Sequence, residues 1–157
     1  MKVFIGPYQN DGSPRQEDVM LDKFDTWNAD HTIAVVVAPL LKQLKLDKQG
    51  GPSVADEDVP EELRRTSAPT PESAWDTDDN WHKRWDWVLD EMIWAMSEHV
   101  DGTGDDKFWD HSEVDEKLGA LDQLSNIKCD YEGLEAYEKR KQQGFVLFGK
   151  YFQGLWS

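Results

Sequence analysis

The chain holds a single cysteine, Cys129, in 157 residues, so an intrachain disulfide and a cysteine-based zinc cluster are both excluded. Basic residues are scarce too: 17 Lys and Arg stand against 32 Asp and Glu, a formal net charge of -15. Such a charge repels phosphate, so direct DNA or RNA binding and docking on an anionic membrane are not expected. The one basic cluster, Lys139, Arg140 and Lys141, reads as a solvated helix face. No apolar run approaches the ~18 residues of a membrane span and no stretch has the pattern of a secretory signal, which points to a soluble intracellular protein. Also missing are the phosphate-binding glycine loop, the dinucleotide fingerprint, the nucleophile elbow and the CxxC and HExxH patterns. What remains for chemistry is carboxylate and imidazole.

Tryptophan is abundant, with eight residues, and the apolar residues fall into a few periodic runs. The length fits one domain with one core. Strands are expected near residues 1–6, ending at Gly6-Pro7, and near 18–24. A helix is expected over 30–46, with Asp30 as its N-cap. Its first half, IAVVVA, is apolar all round, which predicts burial on every side. Pro39 lacks the N–H that reaches back one turn and predicts either a kink or a helix that starts later than Asp30. Residues 47–79 form a long acidic loop with a turn at Pro60 to Arg64, pinned by Val59 and Trp75. A helix over 80–100 follows, then an acidic loop over 101–113, a weak amphipathic helix around Val114 to Leu124, and a third strand at Ile127 to Asp130. The last element is a helix over 133–155 with Leu134, Tyr137, Phe145, Phe148, Phe152 and Leu155 on one side, and Gly144 and Gly149 as weak or close-packing points. The fold class is therefore α+β: a small antiparallel sheet of two or three strands packed by three main helices, with the long acidic loop folded over them.

The segment 80–100 is the most informative. At 100° per residue it has one broad apolar face of Trp81, Trp85, Val88, Leu89, Met92, Ile93, Ala95 and Met96. The opposite face carries Lys83, Arg84, Asp86, Asp90, Glu91 and Glu98, with Trp87 and Trp94 in the middle of it. Those two indoles are either a second packing face or a surface for a ligand or partner, flanked by Glu91 and by Trp75 of the loop, and they are also a route to a homo-oligomer. Metal-ligating types fall in three groups: Asp25, Asp30 and His31; His82, Asp86 and Asp90 at i, i+4 and i+8; and Asp110 with His111. Should Asp30 and His31 face the edge that carries His82, Asp86 and Asp90, a divalent metal would have four or five ligands, as in helical phosphohydrolases. The competing reading makes these residues a solvated flank, and no cofactor is favoured. Asp101 to Asp105 has the look of a calcium loop but lacks its turn glycine and its bidentate Glu. His99, on the apolar face, reads as a hydrogen-bonded core histidine.

The strings MKVFIGPY, DTWNADHTIA, PLLKQLK, DEDVPEELR, AWDTDDNWHKRWDWVLDEMIWA and GFVLFGKYFQGLW resemble an uncharacterised family of tailed-bacteriophage proteins, many from cyanophages. The resemblance covers most of the chain, which lacks the large segment of the longer members between the first strand and DTWNADH, here reduced to Gln9 to Asp18. It implies a phage product acting in the cytoplasm of a bacterial host or in a virion, and it carries over no catalytic residue. Three functions follow as expectations. The first, favoured over the others, is a binding protein without turnover that engages a host protein or a small nucleotide-like signal, using Trp87, Trp94, Trp75 and Glu91. The second is a metal-dependent phosphohydrolase using His31, His82, Asp86 and Asp90, with Asp30 as a further ligand or base. The third is a virion or assembly component.

Overall fold

A computed structural model describes residues 1–71, 73, 76–112, 119 and 126–156. Its centre is helix α2, Trp81–Asp101. The apolar spacing read from the sequence is the spacing that is buried: Trp85, Val88, Leu89, Met92, Ala95 and Met96 are all below the surface. Gly102 closes the helix at φ 70, in the left-handed region that glycine adopts at no steric cost, and its amide donates to the Glu98 carbonyl at 3.1 Å. The stretch with the look of a calcium loop is thus the cap of α2.

Two helices flank α2, each antiparallel to it. Helix α1, Ala29–Asp47, presents Ala34, Ala38 and Leu41, and helix α3, Tyr131–Lys150, presents Tyr137, Gly144 and Leu147. The direction is fixed by contacts at both ends. Asp30 meets His99 while Lys48 meets Asp86, and Tyr137 meets Glu98 while Tyr151 stacks edge-on against Trp85. Gly144 is a close-packing point: a Cβ there would lie 2.4 Å from the Ala95 Cβ and 2.7 Å from the Glu91 carbonyl. Gly149 has open space around it.

Several expectations are corrected. Asn28, not Asp30, occupies the N-cap of α1, and α1 runs unbroken through Pro39 from Ala29, so the proline does not delay its start. The IAVVVA run is not buried on every side. As an edge helix, α1 has one packed stripe, and Ile33, Val36 and Leu40 are 56%, 39% and 64% exposed. The third strand does not join the first two. The strands β1, Lys2–Ile5, and β2, Glu17–Met20, pair with each other, while β3, Trp109–Asp110, pairs with β4, Lys128–Cys129, in a separate antiparallel sheet. Nor do helices bury the first sheet, since every residue of β1 and β2 is exposed. Helix α3 stops at Lys150 and gives way to a 3-10 turn at Phe152–Gly154, which leaves Phe152 exposed, while Leu147 and Tyr151 join Tyr137 among the buried residues. The expected helix around Val114 to Leu124 lies outside the described residues. The class stays α+β: three helices and two small antiparallel sheets among the described residues.

The long loop is a packed irregular segment with 3-10 turns at Asp56–Asp58, Glu61–Leu63 and Arg65–Ser67. Val54 and Val59 enter the core at 1% and 4% exposure, and the Tyr151 hydroxyl accepts from the Ala55 amide and donates to Asp58. The strongest tie is Arg84. Its fully buried guanidinium donates to both oxygens of Asp78, at 2.9 and 2.7 Å, and to the Leu63 carbonyl at 3.1 Å. The hydrogen bonds from Arg84 hold the Asp78 carboxyl below its usual range. A carboxyl so lowered adds stability above the unfolded value of ~3.9 and loses it as acid protonates the folded form. Arg84→Ala is expected to cost about 3–5 kcal/mol, because it leaves Asp78 and Leu63 without their donor. Urea unfolding measures this, and the variant should also lose less stability than the wild type between neutral pH and pH values below that range.

Candidate functional site

The structure does not assemble the five-residue metal set. Asp86 accepts from Lys48 at 2.7 Å and Asp90 from Lys45, so cations from the C-terminal end of α1 already occupy the space beside those carboxylates. His31 lies 17 residues before Lys48, which at ~1.5 Å per residue is roughly 25 Å along the helix. It is exposed, as is His82, and the two belong to opposite ends of the α1–α2 pair. Asp25 instead binds the Met1 amine at 2.7 Å, and Asp110 accepts from the Ser112 amide at 2.9 Å, with His111 exposed beside it. Among the described residues no three His, Cys, Asp or Glu side chains converge.

The tryptophan stripe of α2 faces α3 and its own packing. Trp94 is half-buried between the Arg140 guanidinium, 4.0 Å from the ring centre, and the Tyr137 ring, edge-on at 5.6 Å. Arg140 in turn grips Glu91 with two bonds of 2.9 and 2.8 Å, and Glu91 is 8% exposed. Glu91 raises the Arg140 pKa further. The Tyr137 hydroxyl donates to Glu98 at 2.9 Å, and burial together with that carboxylate pushes the phenol up to about 12. Trp87 is half-buried against the core cluster, and Trp75 lies outside the described residues. Trp94 and Glu91 are therefore parts of a polar seam that joins α2 to α3. The i, i+4, i+7 pattern of Trp87, Glu91 and Trp94 was visible in the sequence, but the seam needs Tyr137 and Arg140 of a helix that starts fifty residues after α2 does.

What the sequence did not single out is a groove between α1 and α3. Its floor is Ala34 and Met96, its walls are Ile33, Phe145 and Phe148, and its volume is about 300 Å³. Asp30 and His99 close one end, with His99 Nε2 and Asp30 Oδ2 3.0 Å apart and the imidazole edge-on to Phe145 at 5.6 Å. His99 is thus hydrogen-bonded, as expected, though at the groove end and not in the core. The His31 backbone amide and then His99 keep the Asp30 carboxyl below its usual range. The apolar surface continues beyond the groove through Leu40 and through Phe152, which lies edge-on to Phe148 at 5.6 Å. The available signal was the IAVVVA run, whose second apolar side is left exposed among the described residues. A larger cleft of about 650 Å³ lies beside Arg65, Pro69 and Trp81, where Asp78 is engaged by Arg84 and Arg65 by Ser53, and where Asp76 is exposed.

The seam makes a direct expectation. Arg140→Ala uncovers Trp94 and leaves Glu91 unpaired, with a loss of about 1–3 kcal/mol. Acrylamide quenching should rise in Arg140→Ala relative to the wild type, and the increase should vanish when Trp94→Phe is added. Compared with protein-family models, with curated proteins and with solved structures, the chain matches none.

Proposed function

We propose that the chain works by binding without turnover, and that it captures a basic, apolar-faced helical segment of a bacterial host protein in the groove between α1 and α3. The observation that carries the reading is the groove itself, an open apolar channel with exposed Ile33 and Leu40 beside it on a chain of net charge -15. An amphipathic helix binds such a channel through anchors at i, i+3 and i+4, and cationic flanks complement the surrounding charge. A nucleotide-like ligand is less well matched, since its phosphates meet the same negative field and six cations of the helices and their caps, Lys45, Lys48, Arg84, Arg140, Lys141 and Lys150, are each paired with a carboxylate. The setting, a phage product in the host cytoplasm during infection, rests on the sequence resemblance alone.

A photo-crosslinking residue in place of Leu40, in infected or expressing cells, is expected to give a discrete host-protein adduct. The adduct should disappear with Ile33→Asp and weaken as salt is raised. The same adducts from a probe at Glu135, an exposed position on α3, would sink the reading. So would release of phosphate from nucleotides by the purified protein with Mg²⁺ or Mn²⁺. Detection of the protein in purified particles would favour the assembly alternative.

A further inference from the structure

The β1–β2 hairpin is exposed on both faces, and a two-stranded sheet left alone in water is marginal; a third strand or a packed helix is ordinarily needed. Phe4, Ile5, Val19, Met20, Leu21 and Phe24 are each between 54% and 66% exposed. Of these, Phe4 and Ile5 lie on β1, while Val19 and Met20 lie on β2 and Leu21 and Phe24 follow it.

The backbone shows which groups are open. The Gly6 amide donates to the Gln16 carbonyl at 2.8 Å, in register with the pairs Phe4–Asp18 and Lys2–Met20. Hydrogen-bonded residues alternate along an antiparallel strand, so Lys2, Phe4 and Gly6 face β2, while the N–H and C=O groups of Val3 and Ile5 face the free edge. Charge separates the two edges. β2 carries Glu17 and Asp18, whereas residues 1–10 contain no carboxylate and β1 carries only Lys2.

We infer that two copies of this chain pair through the free edge of β1, antiparallel about a two-fold axis, into a four-stranded sheet of order β2-β1-β1-β2. The acidic strands are then outermost, about 14 Å apart across three strand spacings and beyond the ~8 Å screening length. Pairing through β2 would instead set Glu17 and Asp18 of both copies side by side. A two-fold perpendicular to the sheet joins residues of like parity, so the two registers of greatest overlap place Val3 or Phe4 on the axis. In both, Lys2 faces an uncharged residue of the other copy, Phe4 or Gly6, and the edge carries no like-charge contact. This surface is separate from the groove, so the two readings stand or fall independently.

Sedimentation of the full chain tests the inference. The wild type is expected at twice its 18.1 kDa mass. Val3→Pro and Ile5→Pro, each removing an N–H that points outward, should halve the mass with unchanged helical circular dichroism. Val19→Pro, which removes an N–H on the opposite edge, should leave the dimer intact. In a Cys129→Ser background, either Val3→Cys or Phe4→Cys should form an interchain disulfide, whichever lies on the axis. A wild-type monomer, a dimer that survives both β1 prolines, loss of the dimer in Val19→Pro alone, or no disulfide at either position would overturn it.

Discussion

The structure depends on a buried charge. Arg84 sits in the middle of a face that the sequence paints as solvated, and the chain solves the cost of burying it by bringing a carboxylate and a carbonyl to it from outside the helix. A guanidinium out of water is tolerable only when paired and hydrogen-bonded in good geometry. That requirement fixes Asp78 and Leu63, fifteen residues apart in sequence, against one side chain. The described residues between Val54 and Leu63 are therefore tied to the body, although they form only short 3-10 turns. The Tyr151, Asp58 and Lys150 contacts repeat the device at the end of α3, where burial raises the Tyr151 phenol and Asp58 raises the Lys150 amine. The acidic loop is held to the body by its own carboxylates.

The same logic explains how α2 is covered on two sides, leaving His82, Lys83, Asp86 and Asp90 as its solvated edge. Its apolar stripe is covered by α1 and the loop, its Glu91–Trp94–Glu98 stripe by Tyr137 and Arg140. Glu91 and Arg140 are bidentate, and Arg140 spends its other face on the Trp94 ring, so one guanidinium satisfies a carboxylate and covers an indole at once. The flanks Asp86 and Asp90 pair with Lys48 and Lys45 at 42% and 56% exposure. There the Coulomb gain is small, and such pairs do more to set the α1–α2 register than to stabilise it.

The legibility of this fold follows the range of the interaction. Helical periodicity is local, so α1, α2 and α3 and the buried positions of α2 could be read from the sequence directly. Two-residue strands carry no periodicity, so the pairing of Trp109 with Cys129 could not. Arg84 and Glu91 were legible only as polar letters on a helix wheel, because their burial is decided by Asp78 and Arg140, which the sequence places elsewhere. The separation of His31 from Asp86 depends on α1 running antiparallel to α2, a tertiary fact. The all-apolar first half of α1 predicts burial on every side, whereas among the described residues only the stripe of Ala34, Ala38 and Leu41 is covered, because what packs against a helix is a tertiary fact.

Among the described residues, the α1–α3 groove and the edge of β1 are surfaces that the fold does not use, and they differ in kind. The groove is built on three long helices whose positions are fixed by the core, so its shape is preorganised and its polar end, Asp30 with His99, is already hydrogen-bonded. The β1 edge belongs to a hairpin whose eight strand residues are all exposed, so its order has to come from whatever completes the sheet. A rigid apolar channel suits recognition by side chains, whereas an open strand offers backbone groups that any extended chain can meet. Specificity at the strand must then come from charge. Here the distribution is one-sided: the carboxylates lie on β2 and none lies on β1, which leaves one edge of the pair open to a copy of itself and bars the other.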